Sequence, residues 1–105
     1  MRKRFYMTAM AAVVAVTGAS VAVAGPGLKG GNLTPQAKVT LAAARHTALA
    51  ARPGVITDQE LEKEKGGSGL RYSFDIRSNG KTYEVGVDAK TGTVLENAAE
   101  GRNPD

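Results

Sequence analysis

The spacing of apolar residues divides the chain into two parts with different periods. From Thr34 to Arg52 the apolar positions recur every three or four residues, whereas from Val55 onward they alternate with polar ones. A period near 3.6 is typical of a helix and a period of 2 is typical of strands. The pattern therefore predicts an α+β fold in which one N-terminal α-helix packs on an antiparallel sheet.

Thr34-Pro35 is the predicted start of the helix, and Pro53-Gly54 is its predicted end. Threonine accepts a hydrogen bond from the first free backbone donors, and proline at the first helical position loses a donor that has no partner. The residue before a proline avoids the helical region. One helix face collects the predicted core positions Ala37, Leu41, Ala44, Ala48 and Arg52, with Ala42 and Leu49 beside them.

The clearest strand runs from Leu70 to Arg77, where apolar and polar residues alternate without exception. Asn79-Gly80 follows it, and this dipeptide is a strong signal for a two-residue hairpin turn. The turn sets the register of the returning strand. The predicted inward pairs are Ile76 with Tyr83, Phe74 with Val85, and Tyr72 with Val87.

Two further strands complete a predicted three- to four-stranded sheet. Residues 55–65 form the strand before a Gly-Gly-Ser-Gly loop, which pairs Lys65 with Leu70 and places Leu61 beside Phe74. Asp88 and Gly92 shape the turn before a short strand from Thr93 to Glu96. The predicted domain covers residues 34–97, between a flexible glycine-rich leader at 25–33 and a disordered tail at 98–105.

The first 24 residues have the features of a secretory signal peptide. Arg2, Lys3 and Arg4 precede an apolar stretch, and Ala22 and Ala24 provide an A-x-A cleavage signal, so we predict cleavage after Ala24. An uncleaved membrane anchor is the alternative, because residues 5–24 approach the length that spans a bilayer. Cleavage would leave an exported protein of the periplasm or the medium that is not attached to the membrane.

The formal net charge is +4, and three of the positive charges lie in the predicted signal peptide. Without residues 1–24 the chain has 11 basic and 10 acidic residues and no cluster of Lys and Arg, which argues against nucleic acid as a partner. No cysteine is present, and His46 is the sole histidine, placed away from the core face of the helix. We therefore expect no enzyme and no cofactor.

The outward positions of the predicted sheet carry an unusual row of carboxylates. In the predicted register Asp75 lies opposite Glu84 on one side and Glu60 on the other. Such a row is either a solvated face or a weak calcium-type site, because hard cations prefer oxygen ligands. The metal-binding hypothesis thus names Glu60, Asp75 and Glu84.

The segment Val87-Asp88-Ala89-Lys90-Thr91-Gly92-Thr93-Val94-Leu95, together with the preceding helix and strands, resembles the PepSY domain. The resemblance implies a helix on an antiparallel sheet, no catalytic residues, and a role in restraining peptidases. It assigns mainly structural roles to its motif positions, which are Tyr72, Phe74, Tyr83, Val85, Val87, Asp88 and Gly92. The peptidase that accompanies such a propeptide is not part of this sequence, so we expect any inhibition to act on a separate protein.

Two functions then compete. The first is an exported binding module that docks on a peptidase or another envelope protein through an edge strand. The candidate edges are the strand bearing Ile56, Asp58, Glu60 and Glu62, and the strand from Thr93 to Glu96. The second is a protein that binds a metal or small ligand on its carboxylate face.

Overall fold

The structure is a computed structural model that describes residues 26–101. It contains a 3-10 helix (Gly31–Gln36), one α-helix and five strands. The α-helix, α1, is Leu41–Ala51, and the strands are β1 (Leu28–Lys29), β2 (Val55–Lys63), β3 (Leu70–Ser78), β4 (Lys81–Asp88) and β5 (Val94–Ala99). The predicted α+β class is confirmed, but the sheet has five strands and is mixed rather than purely antiparallel.

The five strands lie side by side in chain order, with β1 parallel to β2 and every later pair antiparallel. Helix α1 covers one face through its small residues Ala44 and Ala48, which are fully buried. Alanine at these positions brings the helix backbone close to the sheet. The buried core residues from the strands are Ile56, Leu61, Leu70, Tyr72, Phe74, Ile76, Val85 and Val87.

The central hairpin has the predicted register. Ile76 pairs with Tyr83, Phe74 with Val85, and Tyr72 with Val87. Asn79 has a φ of 54° and Gly80 a φ of 78°, as a tight turn with two left-handed residues requires. The predicted register is therefore confirmed for β3 and β4.

The register predicted for β2 is wrong by two residues. Leu61 lies opposite Tyr72 and not beside Phe74, whose partner is Gln59. The backbone N–H of Glu64 donates to the carbonyl of Gly69, so the loop comprises residues 65–68 and not 66–69. The side chain of Asp88 binds Ser68 and fixes this loop, a long-range contact that the local sequence does not reveal.

The α-helix begins six residues later than predicted. Thr34 and Pro35 lie in the 3-10 helix, whereas Thr40 is the N-cap of α1 and its Oγ1 accepts a hydrogen bond from the Ala43 N–H at 3.1 Å. Between the two helices the chain leaves the helical conformation at Ala37, and the N–H groups of Lys38 and Val39 both donate to the carbonyl of Ala89. Tertiary hydrogen bonds thus divide the single helix predicted from periodicity.

The segment predicted as a flexible leader, 25–33, is ordered over the residues that the structure describes. β1 pairs with Gln59 and Glu60, and Leu28 and Leu33 pack against the core. The Gln59 amide also donates to the Pro26 carbonyl at 2.8 Å. Partial burial of two leucines and the added pairing explain why this glycine-rich segment takes a defined position.

β5 also extends further than predicted, since it continues through Ala99 and includes the first two residues of the expected disordered tail at 98–105. Its exposed alanines pair through their backbone with β4, so no apolar pattern is needed. The predicted signal peptide at 1–24 and residues 102–105 lie outside the described residues. Within residues 26–101, no helix has the length and apolar character needed to cross a membrane.

Candidate functional site

Two loops at one end of the sheet are joined by the buried carboxylate of Asp88. The turn from β4 to β5 wraps around it, and its Oδ1 accepts from the N–H groups of Lys90 at 2.8 Å and Thr91 at 3.1 Å. The loop between β2 and β3 supplies Ser68, whose N–H donates to Oδ2 at 2.6 Å and whose hydroxyl donates to Oδ1 at 2.8 Å. Asp88 is 1% exposed, so it acts as an internal connection and not as a ligand-binding group.

The four donors stabilise the ionised form of Asp88. Burial alone would raise the pKa of this carboxyl, but the hydrogen bonds from Ser68, Lys90 and Thr91 together hold the pKa far below its ordinary value. Gly67 makes the close approach possible, because a Cβ there would collide with Oδ2 of Asp88. Gly67 and Gly92 also have left-handed φ values, 55° and 83°, that glycine adopts without strain.

The sheet face opposite α1 is not covered by any element within residues 26–101, and it is rich in carboxylates. We call it the acidic face. Alternation along β2 to β5 places on it the side chains of Asp58, Glu60, Glu62, Asp75, Glu84, Glu96 and Glu100. Its basic side chains include Arg71 and Arg77 on β3.

The carboxylate row on this face differs from the predicted one in a single member. Asp75 lies opposite Glu84, as expected, but its partner on β2 is Asp58, while Glu60 lies opposite Ser73. The two-residue error in the β2 register accounts for the exchange. Glu60, Asp75 and Glu84 are therefore not brought together as the metal hypothesis required.

Glu100 joins the row from the end of β5, where sequence reasoning placed only a disordered tail. One carboxylate oxygen from each of Asp75, Glu84 and Glu100 lies within 4.8 Å of the others. That spacing suits a hard cation, but exposed acidic groups commonly approach each other without one. The backbone bond from Glu100 N–H to the Thr82 carbonyl fixes its position and has no signal in the local sequence.

Crowding on the acidic face changes the titration of two carboxyls. Partial burial raises the pKa of Asp75, and repulsion from Glu100 and Asp58 raises it further, while Lys29 partly offsets the effect. Partial burial also raises the pKa of Glu84, with added repulsion from four carboxylates that include Glu96 and Asp75. Both groups therefore carry their negative charge at an energetic cost.

Few cations neutralise this face. Within residues 26–101, the ion pairs are Lys29 with Asp58 at 3.1 Å and Arg71 with Glu96 at 3.3 Å. The Arg77 guanidinium donates to the Thr82 hydroxyl instead of a carboxylate. Asp75, Glu84 and Glu100 have no ion-pair partner among the residues that the structure describes.

The predicted edge strand on the β2 side is partly covered. β1 pairs with β2 at Gln59 and Glu60, and Ile56 is buried in the core with 8% exposure. Of the residues predicted there, Asp58 and Glu62 bind other side chains of the same chain, Lys29 and Ser73. β1 therefore interrupts the β2 edge at its middle, and the register irregularity between Ile56 and Asp58 interrupts it again near its start.

β5 is the longer of the two terminal strands of the sheet, and no strand within residues 26–101 pairs with its outer side, so it forms an open edge. The Glu100 N–H donates to the Thr82 carbonyl, so the alternation of an antiparallel ladder turns the backbone groups of Glu96 and Ala98 towards β4. The backbone N–H and C=O groups of Asn97 and Ala99 consequently point away from the sheet. These outward groups are available to pair with another strand.

A small apolar pocket of about 200 Å³ lies between the 3-10 helix, the start of α1 and Tyr72. Leu28, Ala37, Val39 and Leu41 line it, and the Tyr72 hydroxyl donates to the Val39 carbonyl at 2.7 Å. Its size suits a single side chain. His46 is exposed on α1 and is not part of its lining.

Comparison with known families supports the resemblance stated for the sequence. The model of the PepSY family, described as "Peptidase propeptide and YPEB domain", matches residues 38–97. This range contains α1, β2, β3, β4 and most of β5, but neither β1 nor the 3-10 helix. Searches of curated proteins and of solved structures give no significant match.

Proposed function

Because the chain belongs to the PepSY family, we propose that it is an exported, non-catalytic binding module that docks on a peptidase or another envelope protein and regulates it. The family's description as a peptidase propeptide domain supports the choice of a peptidase as partner. The proposed docking site is the open edge of β5. Of the two candidate edges named from the sequence, this is the strand at Thr93 to Glu96, which the structure extends to Ala99, and not the strand bearing Ile56, Asp58, Glu60 and Glu62.

The outward backbone groups of Asn97 and Ala99 are the observation that carries this proposal. An extended segment of a partner that pairs with them would continue the sheet as a sixth strand, a common mode of peptide recognition. Ala98 and Ala99 are exposed and small, so they leave space for such a segment. Docking in this manner needs no cofactor and no catalytic group.

A capture experiment combined with an activity assay tests the proposal. The purified protein is immobilised, exposed to the exported proteins of its source, and the retained proteins are identified, while peptidase activity is measured with and without added protein. We expect retention of a peptidase and a change in its activity. Retention of no peptidase together with unchanged peptidase activity would contradict the proposal.

Substitutions at Ala99 test whether the β5 edge is used. Ala99→Pro removes an outward N–H and is tolerated at an edge, so it should weaken retention without disturbing pairing to β4. Ala99→Thr is the matched control, because it changes the side chain but keeps the N–H donor. Equal retention of both variants would exclude this edge as the docking site.

Export directed by the predicted signal peptide, residues 1–24, is a separate part of the proposal. Mass spectrometry of the protein recovered from the envelope and the medium should give a chain that begins at Gly25. A full-length chain in the membrane fraction would instead support the uncleaved anchor.

A further inference from the structure

The acidic face has a gap beside the open edge of β5. Across β3, β4 and β5, Asp75, Glu84 and Ala98 occupy one row, so two carboxylates are followed by a methyl group. Glu96 and Glu100 lie two residues before and after Ala98 on the same face of β5. Ala98 is thus a small exposed residue bordered by carboxylates.

A strand added next to β5 would project alternate side chains over this gap. Neighbouring strands lie about 4.8 Å apart, and directly opposite residues have Cβ atoms about 5 Å apart. A long side chain opposite Ala98 can therefore extend over the methyl group towards Glu84. Its diagonal neighbours on β5 are Glu96 and Glu100.

We propose that the segment bound at β5 is an extended stretch of a partner protein with Lys or Arg at alternate positions, whose cations lie over Ala98 against Glu84 and Glu100. This inference rests on the proposed docking at β5 and adds the chemistry of the partner. Asp75, Glu84 and Glu100, which have no ion-pair partner within residues 26–101, supply the complementary charge. Cations placed there replace repulsion between carboxylates with attraction.

The same charges argue against a second copy of the chain as the occupant. Antiparallel pairing of β5 with another β5 would bring Glu96 and Glu100 of the two copies close together across the seam. Like charges directly opposed on a sheet are unfavourable. A basic segment avoids this cost, whereas an identical strand incurs it.

Peptide binding tests the inference directly. Fluorescence anisotropy is measured for labelled peptides that repeat Lys-Thr or Gln-Thr over about eight residues, a length within the range of strands in proteins. We expect the basic peptide to bind at least about ten-fold more tightly, and its affinity to fall as salt is raised from about 0.02 M to about 0.5 M. Protection of the Asn97 and Ala99 amides from hydrogen exchange in the complex would place the peptide at β5.

Charge variants locate the cation. Glu84→Gln with Glu100→Gln should reduce affinity for the basic peptide about ten-fold. The control, Glu60→Gln with Glu64→Gln, removes the same charge from the β2 side and should change the affinity much less. Ala98→Lys, at an exposed position, fills the gap with a cation of the chain itself and should weaken the basic peptide selectively.

The possible results separate this inference from the proposed function. Equal affinity for the two peptides, both weakened by Ala99→Pro, would overturn the charge preference and leave docking at β5 intact. Failure of the basic peptide to bind would overturn the inference, while the capture experiment independently decides the regulatory function. An equal loss of affinity for the basic peptide in the two double variants would also overturn it, because the peptide would then be attracted by the overall negative charge and not by Glu84 and Glu100.

Discussion

At the scale of single residues, Asp88 is the side chain whose replacement should cost most for its size. Asp88→Asn keeps the shape but turns an amide N–H₂ towards donors of Ser68, Lys90 or Thr91. Hydrogen bonds to a charged group are worth about 1.5–3 kcal/mol each, and an unpaired buried donor adds a penalty. We expect unfolding in urea to show a loss of about 2–4 kcal/mol.

Glu64→Gln serves as the control for this loss, because Glu64 is exposed and the substitution also removes one carboxylate. A surface change of this kind should alter stability by less than about 0.5 kcal/mol. Similar values for the two variants would show that the hydrogen bonds to Asp88 contribute little to the fold.

Stability should depend on pH in two opposite directions below neutrality. The native pKa values of Asp75 and Glu84 are raised, so these carboxyls take up protons more readily when folded, and stability increases as the pH falls towards their native pKa values. The native pKa of Asp88 is lowered, so its contribution is complete above the ordinary pKa of 3.8 and is lost as the pH falls below it. The free energy of unfolding should therefore pass through a maximum at mildly acidic pH.

Unfolding curves measured at a series of pH values check this expectation. Glu84→Gln should reduce the gain between neutral and mildly acidic pH, and Asp88→Asn should reduce the loss in stronger acid. A wild-type curve that falls steadily from neutral pH would contradict the raised pKa values on the acidic face.

At the scale of elements, two threonines distinguish the predicted helix start from the observed one. Thr40→Ala removes the cap of α1 and should destabilise the protein by about 1 kcal/mol. Thr34→Ala should have a much smaller effect, because Thr34 lies exposed in the 3-10 helix and makes no capping bond. Thermal unfolding of both variants measures the difference, and a larger loss for Thr34→Ala would support a helix that begins at Thr34.

Local signals in the sequence determine some elements completely and others only in part. Alternation over Leu70 to Arg77 and the turn at Asn79-Gly80 specify the central hairpin, because both act between neighbouring residues. The β2 register depends on Ser68 binding Asp88, 20 residues away in the chain, and the sequence offers no local sign of it. β1 likewise forms only because β2 and a core that accepts Leu28 and Leu33 are already in place.

The sequence predicts the members of the candidate site correctly only where it predicts the strand register correctly. Asp75 and Glu84 belong to the correctly predicted hairpin, so their pairing was found. Because of the error in the β2 register, the predicted row contains Glu60 where the structure has Asp58. The predicted row lacks Glu100, because the position of this residue depends on the hydrogen bond from its N–H to the Thr82 carbonyl. The acidic character was therefore foreseen, whereas its location beside the β5 edge was not.

At the scale of the whole molecule, the carboxylates of the acidic face should keep the protein monomeric despite the open edge of β5. Strand edges associate readily unless charge or shape prevents it. Glu84→Gln with Glu100→Gln removes charge beside the edge but leaves the outward backbone groups of Asn97 and Ala99 unchanged. Sedimentation velocity should then show a monomer for the wild type at neutral pH and added dimer for the variant.

Adding Ala99→Pro to the Glu84→Gln, Glu100→Gln variant provides the control. Dimers that form through β5 should disappear when the outward N–H is lost. High salt should promote dimers of the wild type, because screening weakens repulsion between exposed carboxylates. If the Glu84→Gln, Glu100→Gln variant stayed monomeric at every concentration, the two carboxylates would not be what prevents association through the β5 edge. Their remaining role would then be the attraction of a basic partner.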